Sequence, residues 1–210
     1  MDNSRSEVFS DKMARTLSVI FHPYLIPVYG LLIIFMAPTL YNYLPSTVKK
    51  LVIFIVLINN VLLPLSLIPF LMHNNLIRSW FMNERSDRTI PLIISTILYF
   101  VTTYIIFRFH VPNFLKLFFL AIACLTFISA IINFWWRISL YSIGAGTILA
   151  LVLVLSFKMY TPLLWYLIPS ILVAGLILSA RLQLNRHNPG QVWAGFLTGF
   201  LGFTAIAMLF

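Results

Sequence analysis

The hydrophobic positions of the chain fall into seven long runs separated by short polar stretches. Each run has roughly 18 to 22 residues, the length at which an α-helix crosses the apolar core of a bilayer. Unbroken helices are expected within the runs because no water is present there to satisfy exposed backbone groups. The predicted spans are residues 17–36, 51–72, 90–109, 115–134, 138–157, 163–180 and 192–210. The pattern predicts an all-α, polytopic transmembrane helix bundle of seven spans, or of six if the first run lies flat on the membrane.

The composition supports this class and leaves no room for a soluble module. Of 210 residues, 61% are hydrophobic and 9% are charged, whereas a soluble domain carries about 25% charged residues. Residues 17–210 are therefore expected to form a single transmembrane domain, preceded by a polar N-terminal segment, residues 1–16. No small-residue cleavage site follows that segment, which favours a retained segment over a signal peptide. Cys124 lies inside an apolar run, with no disulfide or metal-ligand spacing around it.

Polar residues and prolines inside the first two runs are expected to kink helices or hold them together, in preference to any chemical role. These residues are His22, Pro23, Pro27, Asn59, Asn60, Pro64 and Pro69. In the last run, Gly195 and Gly199 are four residues apart, a spacing typical of a helix-packing face.

The distribution of charge indicates an anionic lipid partner. The net charge is +9, and all five acidic residues lie at or before position 87. Nucleic acid is not expected to bind, because the basic residues are not gathered on a soluble face. Anionic lipid headgroups are the natural partners of basic residues at a membrane surface.

Seven crossings would place the loops after the second, fourth and sixth spans on the same membrane face as the N-terminus. These loops carry Arg85 and Arg88, then Arg137, Ser139 and Tyr141, then residues Arg181 to Gln191. Arginine presents a planar fork of donors that matches phosphate oxygens, so the three loops together predict a site for a phosphorylated lipid head. Taken singly, each arginine is better explained as an interfacial anchor at a helix end.

The orientation of the bundle is left open by the charges. The N-terminal face carries nine Lys or Arg and the opposite face five, which by the positive-inside rule places the N-terminus in the cytoplasm. Without the four arginines expected to bind substrate, the count is five against five, and the rule decides nothing.

The third loop places a histidine just before the last span. Asn188 and Pro189 are typical of a helix N-cap and the first helical residue. His187 is therefore expected at a helix N-terminus, where the helix dipole favours anions. Gln191, four residues later, is close enough to orient the imidazole if the turn is helical.

The three loops resemble the signature motifs of the type 2 phosphatidic acid phosphatase superfamily, which are Lys-x6-Arg-Pro, Pro-Ser-Gly-His and Ser-Arg-x5-His-x3-Asp. The third motif is matched best, by Arg181, His187 and Gln191 at the family spacing, with Ala180 in place of the motif serine. In the first motif Arg88 and Pro91 match the Arg-Pro end, with Arg85 as a second cation, but the lysine spacing is absent. In the second motif Ser139 aligns with the serine, and Tyr141 falls where the histidine stands. The chain looks like a divergent bacterial branch of the superfamily.

The resemblance implies a metal-independent and cofactor-free phosphatase of the bacterial inner membrane. Its substrate would be phosphatidic acid, phosphatidylglycerophosphate or a prenyl diphosphate, hydrolysed through a phosphohistidine at His187. The implied phosphate ligands are Arg85, Arg88 and Arg181, with Arg137 and Ser139 as further contacts. Tyr141 would be the acid and Gln191 would orient His187.

Tyr141 and Gln191, which differ from the histidine and the aspartate of the superfamily motifs, affect the expected mechanism. Tyrosine has an ordinary pKa of about 10 and is a weak acid, and Gln191 brings no charge to stabilise an imidazolium. A diphosphate has a better leaving group and needs less acid help, which favours a prenyl diphosphate or a similar substrate. The same substitutions also suit a degenerate family member that binds or translocates phospholipid.

Other chemistries fit the sequence poorly. Metal-dependent phosphotransfer needs clustered carboxylates, which the later two loops lack. A serine hydrolase at Ser139 or Ser142 would need a Gly-x-Ser-x-Gly elbow, which is absent. A purely structural membrane protein remains as the third class of function.

Overall fold

The described part of the chain is a bundle of α-helices. The computed structural model describes the backbone of residues 2–78 and 85–209 and the side chains of residues 11–78 and 86–209. No strand occurs among these residues. They form α1 (Asp2–Ile20), α2 (Ile26–Met36), α3 (Ser46–Val56), α4 (Leu63–His73), α5 (Arg85–Arg108), α6 (Asn113–Asn133), α7 (Leu140–Lys158), α8 (Leu164–Gln183) and α9 (Pro189–Met208).

Within the part of the chain that the structure describes, seven helical stretches are long and apolar enough to cross a membrane, and each overlaps one of the predicted runs. They are Asp11–Met36, Ser46–His73, Ser86–Arg108, Asn113–Asn133, Leu140–Lys158, Leu164–Gln183 and Pro189–Met208. The predicted all-α polytopic bundle of about seven spans is confirmed. The border expected between residues 16 and 17 falls inside α1, so the polar N-terminal segment is helical and continuous with the first span.

The first two spans are interrupted where the sequence places prolines and asparagines. A 3-10 turn, Pro23–Leu25, separates α1 from α2, and the backbone N–H of Tyr24 donates to Nδ1 of His22 at 3.4 Å. A π-helical segment, Leu57–Leu62, joins α3 to α4. There the amide oxygen of buried Asn60 accepts a hydrogen bond of 2.7 Å from Oγ1 of Thr102 on α5. The predicted roles are confirmed for Pro23, which lies at an interruption between helices, and for Asn60, which joins two helices.

Helices α7 and α9 pack along a seam of glycines that brings their backbones into contact. A Cβ on Gly199 would lie 2.0 Å from the carbonyl oxygen of Ile143, and one on Gly146 would lie 2.2 Å from that of Phe196. A Cβ on Gly195 would meet the carbonyl oxygen of Ser139 at 2.7 Å. The predicted helix-packing face is confirmed. Because α7 and α9 begin at the same end, the seam also joins the loops that precede them.

The core of the bundle lies between the spans, and its outer surface is apolar. Phe118 and Phe119 on α6, Leu151 on α7 and Phe203 on α9 are buried in one cluster. Large apolar side chains such as that of Trp165 stay exposed on the outside. An exposed apolar surface of this extent fits a protein whose surrounding solvent is lipid.

Candidate functional site

Residues from the three basic loops lie together at one end of the bundle. Nδ2 of Asn133 donates to Oγ1 of Thr89 at 3.1 Å, which ties the end of α6 to the start of α5. The backbone N–H of Ser139 donates to the carbonyl oxygen of Gln191 at 3.4 Å. A guanidinium nitrogen of Arg137 also donates to the backbone carbonyl of Arg186, within the third loop. The loops expected to share one face are therefore in direct contact.

Each of these loops ends at the N-terminus of a long helix. Helix α5 begins at Arg85, α7 at Leu140 and α9 at Pro189, and the positive ends of three helix dipoles therefore face the same region. A buried carboxylate, that of Asp87 in the first turn of α5, accepts a hydrogen bond of 3.3 Å from the backbone N–H of Arg78.

Four guanidinium groups add their charge to these helix ends. Arg88 is half-buried and lies within electrostatic range of Arg137, Arg181 and Arg186. Like charges that are partly removed from water repel one another, so a bound anion would stabilise the cluster. Arg85 begins α5, but its side chain lies outside the described residues.

The imidazole of His187 is held by a capping box at the start of α9. Oδ1 of Asn188 accepts from the backbone N–H of Gln191 at 2.8 Å, and Oε1 of Gln191 accepts from the backbone N–H of Asn188 at 3.3 Å. The same Oε1 lies 3.1 Å from Nδ1 of His187. A backbone donor identifies that atom as an acceptor, so a proton on Nδ1 would be donated to it. The predicted N-cap at Asn188 is confirmed, and Gln191 lies where it can orient the ring.

His187 is neutral at pH 7 because its surroundings oppose a positive charge. The side chain is only 7% exposed. Burial, followed by the nearby Arg88 guanidinium, lowers the pKa of His187 from 6.5 to about 4, with Arg137 contributing in the same direction. Hydrogen bonding to Gln191 and to the backbone carbonyl of Arg137 acts in the opposite direction and is outweighed. The neutral imidazole is the form that acts as a nucleophile.

Arg181 is fixed by contacts to helices α7 and α1. Its Cζ lies 4.0 Å from the centre of the Tyr141 ring, within the range of a cation–π contact. One guanidinium nitrogen donates to Oγ of Ser18, which in turn donates to the carbonyl oxygen of Ala14 at 2.6 Å. Arg181 is only 6% exposed. Tyr141 therefore supports an arginine, and its expected role as an acid stays a prediction.

Ser139 lies at the start of α7 as its N-cap. Its Oγ accepts from the backbone N–H of Ser142 at 3.3 Å and from Oγ of Ser142 at 2.9 Å, and its side chain is fully buried. These bonds hold the first turn of α7 in place. A contact between this hydroxyl and phosphate stays a prediction.

Comparison with known proteins found no match for this chain. No family model, curated protein or solved structure matches this chain. Across residues 11–78 and 86–209, no group of three or more His, Cys, Asp and Glu side chains is arranged to hold a metal ion. The functional interpretation therefore depends on the motif spacing and on the geometry of the cluster.

Two residues near the cluster were not assigned to it from the sequence. The ring of His22 lies 5.9 Å, centroid to centroid, from that of Tyr141, in an edge-on arrangement, and Ser18 contacts Arg181. Both come from the first span, which was interpreted in terms of helix kinks. The sequence did indicate that the first span could lie near the cluster, because the start of this span is on the same membrane face as the three loops.

Proposed function

We propose that the protein is an integral membrane lipid phosphatase that acts without a metal and forms a phosphohistidine at His187. The observation that carries the proposal is a buried, neutral imidazole close to Arg88 and Arg137, with Arg181 in the same cluster, where three helices begin. Motif spacing like that of the type 2 phosphatidic acid phosphatase superfamily supports it. Phosphatidic acid, phosphatidylglycerophosphate and prenyl diphosphates are the candidate substrates, with phosphate heads that suit this charge.

The reaction proceeds in two displacements. In the first, the Nε2 lone pair of His187 attacks phosphorus, and the bond to the leaving oxygen breaks with its electron pair going to that oxygen. Arg85, Arg88 and Arg181 neutralise the charge on the phosphoryl oxygens. In the second, water attacks phosphorus, the P–N bond breaks, and phosphate leaves while the imidazole regains its lone pair.

The surroundings of His187 favour a substrate with a good leaving group. Gln191 orients the ring through Nδ1 but contributes no negative charge to the imidazolium character that develops during attack. The face of Tyr141 is covered by Arg181, which suits a role in holding that cation better than proton delivery. A leaving group that departs as a stable anion needs neither form of help.

The test is phosphate release by purified protein in lipid nanodiscs, measured over a panel of lipid phosphates with EDTA present. Release should survive EDTA and fall to background in His187→Ala. His110→Ala, which removes a histidine from the loop between α5 and α6, is the matched control and should retain activity. Release that needs an added divalent cation, or that persists in His187→Ala, would contradict the proposal.

A second candidate function is phospholipid binding or translocation without hydrolysis. It is favoured by the neutral amide of Gln191 beside the imidazole, in the place where a carboxylate would assist catalysis. It predicts no phosphate release across the panel but lipid binding that weakens in Arg88→Gln and Arg181→Gln. A purely structural protein would show neither property, and neither substitution would alter its behaviour.

A further inference from the structure

We propose that a cavity inside the bundle, next to the basic cluster, holds one hydrocarbon chain of the phosphorylated lipid. The inference rests on the proposed function, which places the phosphate head of that lipid among the arginines. It adds a separate binding site, for the chain, within the membrane-spanning part of the protein.

The cavity lies between the Pro23–Leu25 turn and helices α2, α5, α6 and α7. About 540 Å³ of space there, with the mouth included, is not filled by atoms, which is within the range of small-molecule pockets. The lining of the three long helices falls within residues 92–99, 122–129 and 140–147. Each stretch spans eight residues, or roughly 10 Å of helix. The cavity is therefore about as deep as one third of the apolar core of a bilayer.

All three stretches lie at the cluster end of their helices. Leu140 lines the cavity and directly precedes Tyr141. Leu92, which also lines it, is three residues beyond Thr89, and Thr89 is bonded to Asn133 at the end of α6. The cavity therefore starts just inside the level of the basic cluster and extends from there into the bundle.

A row of three rings connects the cluster to the cavity wall. Cζ of Arg181 lies 4.0 Å from the centre of the Tyr141 ring, whose centroid is 5.9 Å from that of His22. The centroids of the His22 and Tyr24 rings are 5.0 Å apart, and Tyr24 lines the cavity. Only these side chains separate the anion-binding end from the apolar space. A lipid held by its head at Arg181 therefore has a place for its chain close by.

The wall of the cavity suits a hydrocarbon chain better than a polar group. Among residues 11–78 and 86–209, no charged side chain lines it. Its serine and threonine hydroxyls each donate to the carbonyl oxygen four residues earlier, at 2.6 to 2.8 Å, and these residues are Ser95, Thr126, Ser129 and Thr147. Because these protons are used within the helices, the wall has few donors left for water or for a polar ligand.

The depth of the cavity sets the length of chain that it can hold. A fully extended chain advances roughly 1.2 Å per bond, so a depth of roughly 10 Å accommodates about eight carbons. Binding should depend on these first carbons after the head and should be insensitive to those beyond them.

One substitution fills the cavity without touching the basic cluster. Thr126 is half-buried and lines the cavity at mid-depth on α6, so Thr126→Leu adds apolar volume there. Thr204→Leu is the matched control. Thr204 is also half-buried, donates to the carbonyl oxygen of Phe200 at 2.7 Å in the same manner, and lies outside the cavity lining.

The deciding measurement is the binding of n-alkyl phosphonates of about 2 to 12 carbons to the protein in detergent, with partition into empty micelles subtracted. Wild-type affinity should rise about fourfold per methylene and level off near eight carbons. Thr126→Leu should weaken octyl phosphonate about tenfold and leave ethyl phosphonate unchanged, while Thr204→Leu should match wild type. A rise that never levels off, or equal behaviour of the two variants, would overturn the chain site.

Photolabelling separates this inference from the proposed function, because phosphonates bind without being hydrolysed. An octyl phosphonate with a diazirine at the chain end should label the deep end of the cavity, at Tyr99, Ile122 or Thr147. Label there without phosphate release from any lipid would refute the phosphatase and keep the chain site. Label confined to the outer surface of the bundle, with phosphate still released, would refute the chain site and keep the phosphatase.

Discussion

The pH dependence of His187 gives the most direct prediction of the structure. In the proposed mechanism only the neutral imidazole attacks phosphorus, so activity should be lost as the ring becomes protonated. Because burial and Arg88 lower the pKa to about 4, the protein should remain active well below neutral pH. Removal of Arg88 as Arg88→Gln should raise the pKa of His187 and move the loss of activity to higher pH.

The size of the expected change in protonation follows from the ordinary pKa of histidine and the lowered pKa of His187. The difference between 6.5 and about 4 is roughly 2.5 pH units, worth about 3 kcal/mol. At pH 5.5, about 97% of a ring with a pKa of 4 is neutral, compared with about 9% of a ring with a pKa of 6.5. The unfolded chain takes up this proton near pH 6.5 and the folded chain only near pH 4, so acidification through that window lowers the free energy of unfolding.

Two assays check this prediction. The fall of kcat/KM at low pH reports the pKa of the group in the free enzyme. NMR of histidine-labelled protein reports the protonation of the ring directly, with the His187 signal assigned from its absence in His187→Gln. Substrate ionisation is common to all variants and cancels in their comparison. Arg108→Gln, which removes a guanidinium bonded to Tyr104 at the far end of α5, should leave the limb unchanged. A measured pKa near 6.5 in wild type, or no upward movement in Arg88→Gln, would refute the reasoning.

Three further predictions concern the surroundings of the cluster. Gln191→Glu keeps the capping box and adds a negative charge beside Nδ1 of His187. It should therefore raise hydrolysis of phosphatidic acid relative to hydrolysis of a diphosphate. The measurement is the ratio of the two kcat/KM values. Gly199→Ala forces a Cβ against the carbonyl oxygen of Ile143 and should destabilise the bundle by about 1–3 kcal/mol, seen as a lower Tm in detergent. Asn60→Ala and Thr102→Val remove the two ends of one buried hydrogen bond, so a double-mutant cycle should give a coupling of about 0.6 kcal/mol, and additive effects would contradict it.

Most of the fold follows from the hydrophobic pattern alone. Length and apolarity determine where a helix can cross a bilayer, which is why each of the seven predicted runs overlaps a helical stretch. The interruptions were harder to predict. Prolines indicate that a helix is disturbed, but they do not indicate the π-helical form of Leu57–Leu62 or the bond of Asn60 to Thr102 on another helix.

The cluster was predictable in part, for a similar reason. The arginines share one face because their loops follow the second, fourth and sixth spans, and the Asn-Pro pair predicts the cap beside His187. The partners of each side chain depend on packing between distant segments. Nothing in the local sequence around Tyr141 indicates that Arg181 covers its face, or that a histidine from the first span lies at its edge.

The glycine seam between α7 and α9 has a consequence for how a lipid head would enter. Backbones that touch at Gly146 and Gly199 cannot slide apart without breaking the contact, so the loops bearing Arg137 and His187 behave as one rigid wall. Movement that admits a ligand is then expected where a span is already interrupted, at Pro23–Leu25. Stiffening that bend would slow entry and exit while leaving the chemistry of the rigid wall untouched.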